Sequence, residues 1–175
     1  MDYFLIAYGA LLLALSFFFG KYGSLWIDRL YLKNHSILSF PDAVGSRARY
    51  RVKLLTLLFL LTSIRLFFVS QGIILVLSLA LCGLLLLIIA TDFEQYCIFN
   101  DMIIPLAAGG VLCCALFLPI AIDHLISAAA GGVLFLIIAI LSRGALGGGD
   151  IKLTAAMGFS FGLNALALIL FFALP

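Results

Sequence analysis

Long apolar stretches dominate the chain and are interrupted by few polar positions. They predict six membrane helices, at about 3–20, 54–70, 73–90, 102–121, 125–142 and 152–174. The only long polar segment is residues 31–53. Short runs of small residues occur within the apolar stretches, as in AAGG and SAAAGG, and they predict close helix–helix approach.

Composition agrees with this pattern. Of the 175 residues, 66% are hydrophobic and only 10% are charged, against about a quarter in a soluble domain. The mean hydropathy is +1.31. A net charge of +2 gives no reason to expect nucleic acid as a partner. We therefore expect an all-α polytopic membrane protein whose residues 1–175 form a single membrane-embedded domain.

The distribution of positive charge predicts the topology. Seven of the ten Lys and Arg residues lie between positions 21 and 53. Cationic loops remain in the cytoplasm, so we interpret residues 21–53 as a basic cytoplasmic loop that meets anionic lipid headgroups. The first apolar stretch has no basic residues before it, and we expect an uncleaved span with its N-terminus outside.

Two acidic residues stand out once this topology is followed along the chain. Asp92 directly follows the third span, and Asp150 directly precedes the sixth, so both are predicted at the cytoplasmic membrane edge. An acid at that depth is by default a functional candidate. The other acids are expected to be solvated: Asp2, Asp28, Asp42, Glu94, Asp101 and Asp123.

Paired carboxylates suggest a specific chemistry. Two acids a few ångströms apart share one proton, so the ionised acid activates a water and the protonated acid polarises a carbonyl. The glycines Gly147, Gly148 and Gly149 favour positive φ and disfavour helix, which predicts open backbone that could pair with a peptide. A plain flexible loop is the alternative interpretation.

Metal and disulfide chemistry are not expected. The four cysteines, Cys82, Cys97, Cys113 and Cys114, contain no CxxC pair, and the two histidines lie far apart in the sequence. We interpret the cysteines as small packing residues.

The two acidic segments resemble the motifs of the type IV prepilin peptidases, which belong to the GxGD intramembrane aspartyl proteases. GGGDIKLTAAMG fits the pattern GxGDxKLxxxxG through Gly147, Gly149, Asp150, Lys152, Leu153 and Gly158. DFEQYCIFNDMIIP resembles the other motif through Asp92, Ile98, Asn100 and Pro105. The motifs occur in family order and the resemblance covers most of the chain.

The resemblance implies a function and a site. It implies cleavage of the basic leader from prepilins or pseudopilins at the cytoplasmic face of a bacterial inner membrane. Asp92 and Asp150 are then the catalytic pair, and Gly147, Gly149, Lys152 and Asn100 support the site or bind substrate.

Three departures from the family pattern shape the expectation. Residues 31–53 lack the cysteines with which many members bind zinc, which argues against the N-methyltransferase activity of those members. We expect no cofactor, and S-adenosylmethionine only if methylation is retained. Phe99 replaces a proline and should loosen the turn after Asp92. The chain stops at Pro175, about one span before longer relatives, which we interpret as a compact form or a shortened chain.

Two other functions are compatible with the same residues. One is a catalytically inactive scaffold for pilus assembly, which Phe99 and the missing zinc segment would favour. The other is a small ion- or proton-coupled transporter, for which an inverted repeat would be expected and none is evident.

Overall fold

A computed structural model describes residues 2–143 and 146–173, and all regular structure in these residues is helical. Seven α-helices occur in the order α1 Asp2–Lys33, α2 Val44–Arg47, α3 Arg51–Val69, α4 Gly72–Gln95, α5 Asn100–Leu116, α6 Ala121–Leu141 and α7 Gly148–Ala173. Short 3₁₀ turns lie at His35–Ile37, Pro41–Ala43, Ala48–Tyr50 and Leu118–Ile120. Position 174, where the last predicted span ends, and Pro175 lie outside the described residues.

The all-α polytopic architecture predicted from the sequence is confirmed. Within the described residues, five helical segments are long and apolar enough to cross a membrane. The fourth predicted span is a shorter apolar helix, because α5 has only 17 residues. The membrane helices expected from the sequence, about six, are five long apolar helices and one shorter apolar helix among the described residues.

The contacts divide the chain into two compact units, Met1–Cys97 and Ile98–Pro175. In the first unit, α3 packs against both α1 and α4. The rings of Phe19 and Phe59 stack with centroids 4.1 Å apart. A Cβ at Gly83 would lie 2.9 Å from the Phe19 ring, so this glycine makes room for the aromatic pair.

The predicted loop at residues 21–53 is largely helical, which corrects the sequence interpretation. Helix α1 continues to Lys33, and only residues 34–50 form an irregular segment of short turns. The continuation of α1 has a structural cause, since Ile27, Leu30 and Tyr31 recur at helical spacing and are at most 4% exposed. Three cations of this stretch, Lys21, Arg29 and Lys33, are therefore exposed residues of α1.

In the second unit, α6 and α7 pack closely through glycines, as the small-residue runs predicted. A Cβ at Gly158 would lie 2.5 Å from the backbone oxygen of Ser127. A Cβ at Gly131 would lie 3.1 Å from the backbone oxygen of Thr154. Gly158 therefore lets the two backbones approach to a distance that an added Cβ would prevent, and at Gly131 an added Cβ would be tightly packed.

Helix α7 is broken at Gly162, whose φ of 77° and ψ of 177° are not helical. The helix resumes at Leu163, whose backbone N–H donates to a carboxylate oxygen of Asp123 at 3.1 Å. His124 is buried beside the break, with Nδ1 2.7 Å from the backbone oxygen of Phe159. The expected uninterrupted last span is thus two helical pieces, and the exposed Asp123 caps the second piece.

Candidate functional site

Asp92 lies on the exposed face of the last turn of α4. The helix ends at Gln95, and Tyr96 follows in the left-handed conformation with φ of 51°. The Tyr96 N–H donates to the backbone oxygen of Asp92 at 2.8 Å and closes this turn. The sequence prediction that Asp92 marks the end of an apolar helix is confirmed.

Glu94 is buried, which corrects the expectation that it is solvated. Only 4% of the residue is exposed. Its Oε2 accepts hydrogen bonds from Arg51 Nη1 at 2.9 Å and from the Tyr31 hydroxyl at 3.0 Å. A carboxylate removed from water requires such partners, and here they come from α1 and from the first residue of α3.

Arg51 extends this buried cluster toward the surface. Its Nε donates to the hydroxyl of Ser24 at 3.0 Å, and its Nη2 pairs with a carboxylate oxygen of Asp28. Asp28 was expected to be solvated, and its side chain is 46% exposed while it pairs with Arg51. In the sequence, the signal for this cluster is Arg51, the cation of residues 21–53 that stands at the start of an apolar helix.

The irregular segment 34–50 is attached to the same turn of α4. The Phe40 N–H donates to Gln95 Oε1 at 2.9 Å, and Gln95 Nε2 donates to the Phe40 backbone oxygen at 3.2 Å. Arg47 Nη1 donates to the backbone oxygen of Glu94 at 2.9 Å, and its guanidinium lies 3.7 Å from the centroid of the Phe40 ring. Sequence reasoning missed this attachment, because a side chain that pairs with a distant backbone leaves no local pattern.

Cys97 follows the last turn of α4, and its surroundings there raise the pKa of its thiol. Burial, and secondarily the negative charge of Asp92, raises the pKa of Cys97 from 9.0 to about 11. This thiol therefore remains protonated at physiological pH and is a poor nucleophile.

Phe99 directly precedes α5 and is buried. It is 3% exposed and extended, with φ of −88° and ψ of 136°. Its backbone oxygen accepts from the N–H of Met102 at 3.0 Å. Burial of the ring constrains a position where proline would have fixed φ.

Asp150 occupies the first turn of α7 and caps it. Gly147 N–H donates to Asp150 Oδ2 at 3.2 Å, and Asp150 N–H donates to the backbone oxygen of Gly147 at 3.1 Å. This arrangement is half of a capping box. The predicted open backbone is thus wrong for Gly148 and Gly149, which are helical. Glycine is costly within a helix but is tolerated in the first turn, where N–H groups have no intrahelical partner.

Two of the glycines leave room for neighbouring atoms. A Cβ at Gly147 would lie 3.2 Å from Asp150 Oδ2. A Cβ at Gly149 would lie 3.2 Å from the Cβ of Ile98. Positive φ does not explain these glycines, because Gly72 and Gly162 are the glycines that adopt it within the described residues.

Lys152 and Asn100 lie together although 52 positions separate them in sequence. Lys152 Nζ donates to Asn100 Oδ1 at 3.2 Å, and both residues are exposed. Lys152 also borders a cavity of about 390 Å³ lined by apolar side chains of α5, α6 and α7: Ile103, Ala107, Leu125, Ala128, Ala155, Ala156 and Phe159. The predicted supporting residues thus form one exposed polar pair at the edge of an apolar cavity.

The predicted catalytic residues are divided between the two units. Asp92 belongs to the first unit and Asp150 to the second. Across residues 2–143 and 146–173, no three His, Cys, Asp or Glu side chains are grouped as a metal site would require. All four cysteines are free thiols.

Residues 79–174, more than half of the chain, match the model of the type IV leader peptidase family. The matched range contains both aspartates and all four predicted supporting residues. No curated protein and no solved structure matches the chain significantly.

Proposed function

The chain belongs to the type IV leader peptidase family, and we propose that it is a membrane aspartyl endopeptidase for prepilin-like proteins. Family membership implies a peptidase, and the apolar helices make the chain a multi-pass membrane protein. The finer proposal is that it removes the basic leader at the cytoplasmic face of a bacterial inner membrane. The observation that carries it is an exposed carboxylate, Asp92, on the last turn of a membrane-length helix within the family match.

The proposed reaction needs only water and two carboxyl groups. Asp92 and Asp150 share one proton, so that one accepts a proton from water while the other polarises the scissile carbonyl. The protonated acid then donates to the leaving amine. This role rests on the family motifs, and the exposure of Asp92 and partial exposure of Asp150 support it.

Lys152 and Asn100 have a proposed role in substrate binding. Asn100 holds the Lys152 ammonium through the 3.2 Å contact, which leaves other N–H groups of the ammonium to donate to a peptide carbonyl. Gly147 and Gly149 keep the start of α7 free of side chains that would contact Asp150 or Ile98.

The proposed substrate class is a prepilin-like protein, and the location of Asp92 and Asp150 in terminal turns of apolar helices supports it. A prepilin presents a basic leader followed by an apolar helix, so its cleavage site lies where the membrane meets the cytoplasm. Asp92 lies in the last turn of one helix of membrane length and Asp150 lies in the first turn of another. In this proposal, the scissile peptide bond lies between a polar leader and a membrane-embedded segment, and it can therefore reach carboxylates at the cytoplasmic edge of the membrane.

Anionic lipid headgroups are the proposed partners of the basic stretch 21–53. Six of its seven cations are exposed, and Arg51 is the buried exception. Exposed cations near a membrane surface attract anionic lipids, at about 1 kcal/mol for each residue. The exposed cations would hold this end of the protein at the cytoplasmic leaflet.

The test is cleavage of a co-expressed prepilin, followed as a gel shift, with wild type, Asp92→Asn and Asp150→Asn. Asparagine at position 150 can still accept the Gly147 N–H, so this variant removes charge and keeps the cap. Asp42→Asn is the matched control, because Asp42 is an exposed acid in the irregular segment. We expect both site variants to abolish cleavage at normal membrane levels and the control to cleave.

Cleavage by either site variant would refute the aspartyl mechanism. Mass spectrometry of the mature product provides a second result, because an added methyl group at its N-terminus would show that the methyltransferase activity is retained. The expected product is unmethylated, since the segment that carries the zinc cysteines in many members has none here.

A further inference from the structure

The last turn of α4 has two faces with opposite character. Asp92 is exposed on one face, while Glu94 and Gln95 are 4% and 0% exposed on the other. Side chains from α1 and α3, and the backbone of the irregular segment 34–50, all bond to the buried face. This convergence distinguishes the turn from an ordinary helix end, which is free to fray.

We infer that Glu94 and Arg51 are positioning residues that hold the turn carrying Asp92, an inference that rests on the proposed function. Glu94 lies two positions after Asp92, and its carboxylate is fixed by Arg51 and Tyr31. Because the helical backbone between positions 92 and 94 is rigid, fixing the buried Glu94 carboxylate also fixes the position of the turn and the direction of the Cα–Cβ bond from which the Asp92 carboxylate extends.

The backbone of the turn is held as well as its side chains. The last four carbonyls of a helix lack intrahelical partners. In this turn, the Asp92 carbonyl accepts from Tyr96 N–H, and the Glu94 carbonyl accepts from Arg47. Gln95 adds a two-way hydrogen bond with the backbone of Phe40. The turn is therefore held by hydrogen bonds from its backbone and from its buried side chains.

Stability alone is a weak reason for this cluster. Replacing a buried ion pair by apolar side chains of similar volume is often neutral or stabilising. Orientation is a stronger reason, because a catalytic group displaced by about 1 Å loses about a hundredfold in rate. A directional pair resists rotation of the turn, whereas apolar packing against the same surface does not.

The central experiment compares wild type with the double variant Glu94→Leu/Arg51→Met. Purified protein cleaves a synthetic prepilin in detergent micelles, and kcat and KM are determined separately. We expect kcat to fall about tenfold to a hundredfold while KM stays within about twofold. The unfolding midpoint should stay close to that of wild type. A purely structural pair would leave kcat unchanged in a folded variant, and that result would overturn the inference.

Two further variants keep the test decisive. Glu94→Asp retains the charge and withdraws the carboxylate by one methylene, so it tests orientation even if the double variant does not fold. We expect kcat to fall about tenfold, and an unchanged kcat would overturn the inference. Asp92→Asn is measured in parallel. Cleavage by Asp92→Asn would refute the proposed function itself, whereas an inactive Asp92→Asn beside a fully active Glu94→Asp would refute only the positioning role.

Discussion

The close approach of α6 and α7 at Gly158 makes a quantitative prediction. The Cβ of an alanine at this position would lie 2.5 Å from the backbone oxygen of Ser127 and 2.7 Å from its carbonyl carbon. An ordinary contact begins at 3.4 Å, so the helices must separate by about 0.9 Å in an interior that is close-packed. The obstructing atoms are backbone, and no rotamer change relieves the overlap.

We expect Gly158→Ala to be destabilised by about 1–3 kcal/mol relative to Gly132→Ala. Gly132 lies on α6, and its added Cβ would meet only the Ala155 Cβ at 3.2 Å. Both changes replace helical glycine by alanine, so the gain in helix propensity of about 1 kcal/mol largely cancels in the comparison. Gly9→Ala is a second control, since no atom lies within 4 Å of its Cβ.

The assay is unfolding by SDS titration in detergent micelles, with helicity followed by circular dichroism. The expected order of stability is Gly9→Ala, then Gly132→Ala, then Gly158→Ala. If Gly158→Ala unfolds at the same SDS fraction as Gly132→Ala, the glycine of the GxGDxKLxxxxG pattern does not set the distance between these helices, and the packing argument fails.

Two further predictions concern the helix break and the thiol. Gly162→Ala should cost about 1–3 kcal/mol in the same titration, because its φ of 77° suits glycine and the added Cβ would lie 2.6 Å from Asp123 Oδ2; a stability equal to wild type would contradict the break. Cys97, whose pKa is raised to about 11, should react slowly with iodoacetamide at pH 8 and about tenfold faster for each pH unit up to pH 10, as measured by mass spectrometry. Asp92→Asn should speed this reaction, and a fast, pH-independent reaction in wild type would refute the assignment.

Much of the fold was predictable because long continuous apolar stretches indicate helices that are buried in lipid. The two aspartates were placed correctly at the ends of apolar helices, since a charge rarely lies deeper. The end of α1 was not predictable from charge. Ile27 and Tyr31 are buried, and their packing keeps residues 21–33 helical. The basic residues of this segment had suggested a loop, but tertiary packing determines its structure.

The polar surroundings of the site were less predictable than the fold. Asn100 and Lys152 were identified through family motifs, but their mutual contact depends on how α5 and α7 pack. Glu94 was taken for a solvated residue because its partners, Arg51 and Tyr31, are distant in sequence. Gly148 and Gly149 were assigned an extended backbone because glycine propensity describes helix interiors and not the first turn.

The short helix α5 has a consequence for the surrounding bilayer. Its 17 residues span about 25 Å, whereas the hydrocarbon core of a typical membrane is about 30 Å thick. Such a hydrophobic mismatch is accommodated by thinning of the adjacent lipid or by flanking side chains that reach outward. Asn100 begins this helix. The thickness of the bilayer therefore determines how far water must penetrate to reach the polar end of α5.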